Sequence, residues 1–200
     1  MNIPKGFTLI ELLIVIGIIA LLATVIVIVL NPAQLLGQAR DSQRISDLDT
    51  MRSALALYLA TASGNPPITV GDSTKCYVSV TDTVTIGANC DGRHDVSRTT
   101  VYATATSARA IDGSGWVPVD FQQISGGTPF AILPLDPSNN ITHFYSYAAD
   151  DNEKTFEFNA NMESERYQAS VVGSSDDVES DSEDGGNRNE IYELGTNLNL

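Results

Sequence analysis

The sequence predicts an α+β protein in which a long amino-terminal α-helix, first membrane-spanning and then amphipathic, packs against a small antiparallel β-sheet. Three observations predict it. Residues 12–30 form a 19-residue apolar run broken only by Gly17 and Thr24, which is enough to cross a bilayer as a helix, a task that takes about 18–20 residues. Ile45, Leu48, Met51, Leu55, Tyr58, Leu59 and Ala62 then recur at steps of three and four, the spacing of one helix face. Finally, the aromatic runs 142–148 and 155–160 flank the turn-rich Asp150-Asp151-Asn152-Glu153-Lys154, as paired strands do.

The apolar run opens the chain's first element. It exceeds the apolar core of a secretory signal peptide, which is about 7–15 residues long. Lys5 precedes it and a strongly acidic body follows, so the positive-inside bias keeps the amino end cytoplasmic and exports the rest. The amphipathic stretch follows, with Arg44, Asp47, Asp49 and Arg52 between its apolar positions. It stops at Ser63-Gly64-Asn65-Pro66-Pro67, where glycine accepts a left-handed cap and the prolines forbid continuation. A helix unbroken from Phe7 to Ser63 would run about 85 Å at 1.5 Å per residue. Asn31-Pro32 argues for a kink or a short unwound stretch instead, because proline removes a hydrogen bond and clashes with the preceding turn.

Glu11 is the one charge close to the apolar run. An ionised side chain at the centre of a membrane helix costs about 2.5–3.5 kcal/mol, and less near the ends. Two explanations offset that cost. Thr8-x-x-Glu11 fits a capping box, and the helix dipole favours an acid in its first turn. Alternatively, the carboxylate awaits a cation from another chain.

Lys5-Gly6-Phe7-Thr8-Leu9-Ile10-Glu11 resembles the processing signature of type IV prepilins and the related pseudopilins: a short basic leader ending in glycine, then phenylalanine, then glutamate as the fifth residue after the cut. The resemblance extends over residues 1–62. It implies cleavage between Gly6 and Phe7 by a prepilin peptidase, methylation of the new Phe7 amine, and packing of the apolar helices in the centre of a filament. There Glu11 of one subunit would meet the Phe7 amino group of a neighbour. A buried carboxylate is tolerable when paired, whereas an unpaired one costs about 3–5 kcal/mol.

On this reading residues 1–6 are a leader, 7–31 the membrane and filament-core helix, 32–63 the amphipathic helix, 68–172 an exported β-rich domain and 173–200 an acidic loop and tail. Cys76 and Cys90 are the only cysteines; in an exported domain a pair favours a disulfide over a metal site. Closing that 15-residue loop stabilises the fold by about 3 kcal/mol in the chain-entropy model. Val78, Val80, Val84 and Ile86 alternate across Thr81-Asp82-Thr83, predicting a hairpin or irregular pair inside the loop. Residues 101–106 alternate as well. Residues 116–121 read as a buried or edge segment because of Pro118. The two aromatic runs start a β-meander whose third strand is expected at 167–172, and its inner face should cover Leu48, Met51, Leu55 and Leu59. Leu133-Pro134-Leu135-Asp136-Pro137 before an aromatic strand also resembles the approach to the sheet in major pseudopilins. Asn140-Ile141-Thr142 matches an N-glycosylation sequon, a pattern short enough to arise by chance.

Residues 174–200 carry eight acids against Arg188, half of the chain's net charge of −14. With no cluster of Lys and Arg, the subunit's own charge argues against nucleic acid. Such a segment is expected to be a solvated loop. Calcium is the one cofactor to weigh, with Asp176, Asp177, Asp181 and Asp184 as candidate ligands, because the resemblance extends to major pseudopilins, which carry a calcium site in their carboxy-terminal loop. The EF-hand template fails, since Gly185 and Tyr192 stand where acidic or amide ligands are required.

Catalysis finds no support in a chain with only His94 and His143, no zinc-type cysteine spacing and no phosphate-cradling loop. The sequence therefore points to a structural subunit of a filament, either a surface pilus or a type II secretion pseudopilus. Its partners would be identical or related subunits, the prepilin peptidase, and membrane lipid before assembly. It would cross the cytoplasmic membrane once before assembly and become periplasmic or extracellular afterwards. The alternative is a solitary signal-anchored binding protein.

Overall fold

The computed structural model describes residues 6–62, 67–81, 85–94, 97–168, 178–179 and 190–200. Helix α1, Leu9–Leu30, and helix α2, Pro32–Thr61, are followed by strands β1 (Lys75–Thr81), β2 (Thr99–Ala103), β3 (Ser146–Asp150), β4 (Thr155–Ala160) and β5 (Tyr192–Gly195). The chain divides into two compact units, Met1–Leu36 and Gly37–Leu200.

A single residue separates the helices. Asn31 sits in the left-handed region at φ 38°, ψ 75°, which asparagine tolerates better than most residues, and Pro32 begins α2. Proline suits a first helical position because its missing N–H would have no partner there and its φ is already helical. The break at Asn31-Pro32 is thus one unwound residue.

In the second unit the sheet has the order β2-β1-β3-β4-β5. β1–β3, β3–β4 and β4–β5 are antiparallel, while β1–β2 is parallel. The α+β organisation is that expected, with one parallel pair in an otherwise antiparallel sheet. β3 and β4 form the hairpin read from the aromatic runs, turning through residues 151–154.

Two strand expectations fail. Val78 and Val80 do not fold back on Ile86: β1 is a single strand buried on both faces, and Ile86 lies outside any strand. Alternation marked one strand correctly, but its partners, β2 and β3, are distant in sequence, and local pattern does not reveal them. The third meander strand is also displaced. Tyr167 and Gln168 are not in a strand, residues 169–172 lie outside the described residues, and the neighbour of β4 is β5. Tyr192 and Leu194 supply the apolar face that β4 needs.

The sheet has two buried faces. One, carrying Tyr77, Tyr145, Tyr147, Phe156 and Phe158, shares a core with Leu48, Met51, Ala54, Leu55 and Tyr58 of α2. Trp116, Val117 and Val119 fill the same core from a segment outside any strand, and Phe121 does so from the 3-10 turn Phe121–Gln123, so this segment packs into the core but makes no edge strand. The other face carries Cys76, Val78, Val80 and Ala148, covered by Ile86, Cys90 and Leu200. Its polar positions, Ser146, Glu157, Asn159 and Glu193, are buried too.

Candidate functional site

The residues expected to be processed lie ahead of α1. Gly6, Phe7 and Thr8 are outside the helix, and Phe7 is 82% exposed. The Gly6–Phe7 peptide bond is therefore open on a non-helical segment, the geometry a peptidase requires of its substrate. Thr8 is the N-cap, with extended backbone at φ −85°, ψ 152°. Its hydroxyl accepts from the Glu11 N–H at 3.3 Å. The Glu11 carboxylate in turn accepts from the Thr8 N–H at 2.8 Å and the Thr8 hydroxyl at 2.7 Å. This is a complete capping box, so the local explanation of Glu11 is realised in the isolated chain.

Past the cap, α1 offers its own unit nothing but apolar surface. Residues 9–27 form a span long and apolar enough to cross a membrane, with none of it buried. Leu13 is 59% exposed and Ile19 likewise 59%. Only Thr24 adds polarity, and its hydroxyl is satisfied by donating to the Ala20 carbonyl. An uncovered apolar helix of this length is stable in lipid or against other such helices, and not in water.

Residues 1–27 match the family model described as the prokaryotic N-terminal methylation motif. The chain carries the type IV pilin and pseudopilin signature. The matched stretch ends inside α1, short of residue 62 to which the sequence resemblance extends. No match was found among curated proteins or among solved structures. Gly6, Phe7 and Glu11 all lie within the matched stretch, and the apolar helix behind it fits membrane anchoring before assembly.

Within the second unit, α2 carries a buried charge cluster, of which the sequence showed only Arg44, as a charge between apolar positions. Arg44 is fully buried. It donates to Asp41 at 2.7 Å, to both oxygens of Asp136 at 2.6 and 2.9 Å, and to Glu163. Asp41 also accepts from the backbone N–H groups of Glu163 and Ser164 at 2.9 and 2.8 Å. Burial alone would push the Glu163 carboxyl up; hydrogen bonds from Arg40, Ser138 and Arg44 overrule it and hold its pKa at about 2. The cluster ties α2 to the turns at 136–138 and 162–164. A signal for it exists, because Gly37, Asp41, Arg44, Leu48, Met51, Leu55 and Tyr58 are all buried and follow one another at steps of four and three, so the covered stripe continues through polar residues.

Cys76 and Cys90 are joined by a disulfide with Cα atoms 6.1 Å apart. Cys90 lies in a left-handed turn in which Asn89, Cys90 and Asp91 take φ of 58°, 50° and 65°. That geometry costs roughly 1–2 kcal/mol per residue for non-glycine residues. The turn is fixed by the disulfide and by Thr100, whose hydroxyl accepts from the Cys90 N–H at 3.0 Å and donates to the Gly87 carbonyl at 2.8 Å. No periodicity in the sequence announces it.

Of the two histidines, His94 is fully buried with its Nδ1 3.3 Å from Glu157, beneath the disulfide loop. A pair sealed from solvent cannot meet a substrate. Among the described residues no group of three or more His, Cys, Asp or Glu is placed to hold a metal ion. Asp176, Asp177, Asp181 and Asp184 lie outside the described residues. Two of the eight acids expected in a solvated loop are buried instead: Glu179 accepts from the Met162 N–H at 2.6 Å, and Glu193 lies in β5 with 1% exposure.

Proposed function

We propose that this chain is the structural subunit of a type IV pilus-like filament, a surface pilus or a type II secretion pseudopilus, assembled through α1. The signature points to a structural rather than an enzymatic role. The observation that carries the reading is the uncovered apolar helix beginning directly behind the processing signature. On this proposal the prepilin peptidase cuts between Gly6 and Phe7, the Phe7 amine is methylated, and the helices pack together, replacing lipid with neighbouring subunits. Glu11 then exchanges its local partner, Thr8, for the Phe7 amino group of an adjacent subunit. The disulfide supports passage of the second unit into an oxidising compartment.

Glu11→Gln tests the assembly role. Glutamine keeps a carbonyl for the capping geometry but no charge, so the variant should be processed and inserted yet give no sheared filaments, while the parent gives them. Normal filaments from the variant would defeat the pairing role and leave Glu11 as a cap. Parent protein that stays in the membrane as a processed monomer would favour the anchored binding protein. Sequencing the mature amino terminus completes the test, with methylated phenylalanine the expected first residue. Loss of surface pili or of exoprotein secretion in a strain lacking the chain separates the two machines.

A further inference from the structure

A three-residue sequon carries little information by itself; its place in the fold adds what the sequence lacks. Asn140, Ile141 and Thr142 are all exposed, Ile141 at 61%. They form a closed turn in which the Asn140 N–H donates to the His143 carbonyl at 2.9 Å. The Asn140 Oδ1 accepts from the backbone N–H groups of Thr142 at 2.9 Å and His143 at 3.0 Å. With its oxygen committed to the turn, the side-chain amide has only Nδ2 to present, and among the described residues no group takes it up. The Thr142 hydroxyl is exposed beside it.

The turn stands on a fixed base. Arg93, buried beneath it, donates to the Thr142 carbonyl at 3.0 Å and to the Phe144 carbonyl at 2.5 Å, with its guanidinium 3.4 Å above the Phe144 ring. On the other side Asn139 takes φ of 40° and its Oδ1 accepts from the Ser79 hydroxyl at 2.9 Å. Two adjacent asparagines are therefore treated differently: Asn139 is tied to the sheet, and Asn140 is held out from it.

We propose that Asn140 is an N-glycosylation site, modified on the exported side of the membrane by a sugar carried on a polyprenyl phosphate or diphosphate. An amide nitrogen is a poor nucleophile until it loses a proton, and two hydrogen bonds to Oδ1 stabilise the anion that results. The Asn140 Nδ2 attacks the anomeric carbon; the new N–C bond replaces the bond from that carbon to the carrier phosphate oxygen. The amide proton goes to a base of the transferase, and the polyprenyl phosphate or diphosphate leaves. Electrons balance without an oxidant. The attached sugar projects into solvent, where a bulky and solubilising group is tolerated. The inference rests on export of the second unit and is independent of filament formation.

The test is tandem mass spectrometry of the peptide containing residue 140, from the full chain isolated from its native organism, with protease added to spheroplasts to show which side the second unit occupies. A sugar on Asn140 is expected in the parent and in Thr142→Ser, with complete loss in Asn140→Gln and Thr142→Val. All three substitutions are at exposed turn positions and should fold. Unmodified Asn140 in chains whose second unit the protease reaches would overturn the proposal, as would a sugar that persists in Thr142→Val. Protection from external protease would remove the export on which it stands, and shear assays on the same strains report the filament reading separately.

Discussion

Helices α1 and α2 each place a charge among apolar residues, and the two solutions are opposite. Glu11 on α1 is satisfied three residues away, by Thr8, on a helix that its own unit leaves uncovered. Arg44 on α2 is fully buried, and two of its three carboxylate partners, Asp136 and Glu163, come from 92 and 119 residues away. A local cap can be formed before any tertiary structure and exchanged later for another partner. A long-range cluster forms only with the domain, and once formed it has nothing to exchange. The first arrangement suits a surface still awaiting neighbours, the second a finished core.

The largest effect should come from breaking the finished side. Arg44→Met leaves Asp41 and Asp136 buried without their cation, Glu163 keeping Arg40, and breaking a buried pair in this way costs about 3–5 kcal/mol. For a domain of this size that corresponds to roughly 6–20 °C in melting temperature, measured on the full chain in detergent. Membrane insertion of α1 should not change. A variant that melts with the parent would show that the cluster is dispensable, and the contrast between the helices would lose its energetic basis.

Next in size is the disulfide. Replacing both Cys76 and Cys90 by serine should cost about 3 kcal/mol from loop closure alone, read as a lower denaturation midpoint with a steeper slope, because the unfolded chain is no longer cross-linked. The left-handed turn at 89–91 should relax at the same time, because the covalent tie that helps to hold it is gone. Unchanged proteolysis at residues 86–98 would instead assign the turn to Thr100.

Acid should weaken the second unit through Glu163. Its folded pKa of about 2 lies below the ordinary value of 4.5, so the stabilisation is present above pH 4.5 and is lost as pH falls from 4.5 through 2. Glu163→Gln should flatten the denaturation profile across that window. A profile as steep in the variant as in the parent would place the acid sensitivity elsewhere.

The contrast also explains what could be read in advance. α1, the cap, the β3–β4 hairpin and the apolar face of α2 depend on residues within a few positions of one another, and composition and period report them directly. Arg44 was legible only as a charge on a helix, since nothing near it shows that Asp136 and Glu163 fold back to meet it. The parallel pairing of β1 with β2, and the docking of β5 beside β4 across the acidic segment, have the same origin: the residues are suitable strands, but the choice of partner is tertiary. At the amino terminus the signature residues are contiguous, so the candidate site was visible where the core was not.

The smallest effect expected sharpens the other side of the comparison. Thr8→Ala removes the hydroxyl that accepts from the Glu11 N–H and donates to its carboxylate, leaving the backbone bond from residue 8. Loss of an N-cap of this kind costs about 1 kcal/mol, which is about a fivefold rise in hydrogen exchange at the Glu11 amide of the detergent-solubilised chain. The denaturation of the second unit should be untouched, because no part of the cap reaches beyond the first turn of α1. A destabilised second unit would mean that the cap is coupled to the core after all; unchanged exchange at Glu11 would mean that lipid or detergent has already replaced Thr8 as its partner.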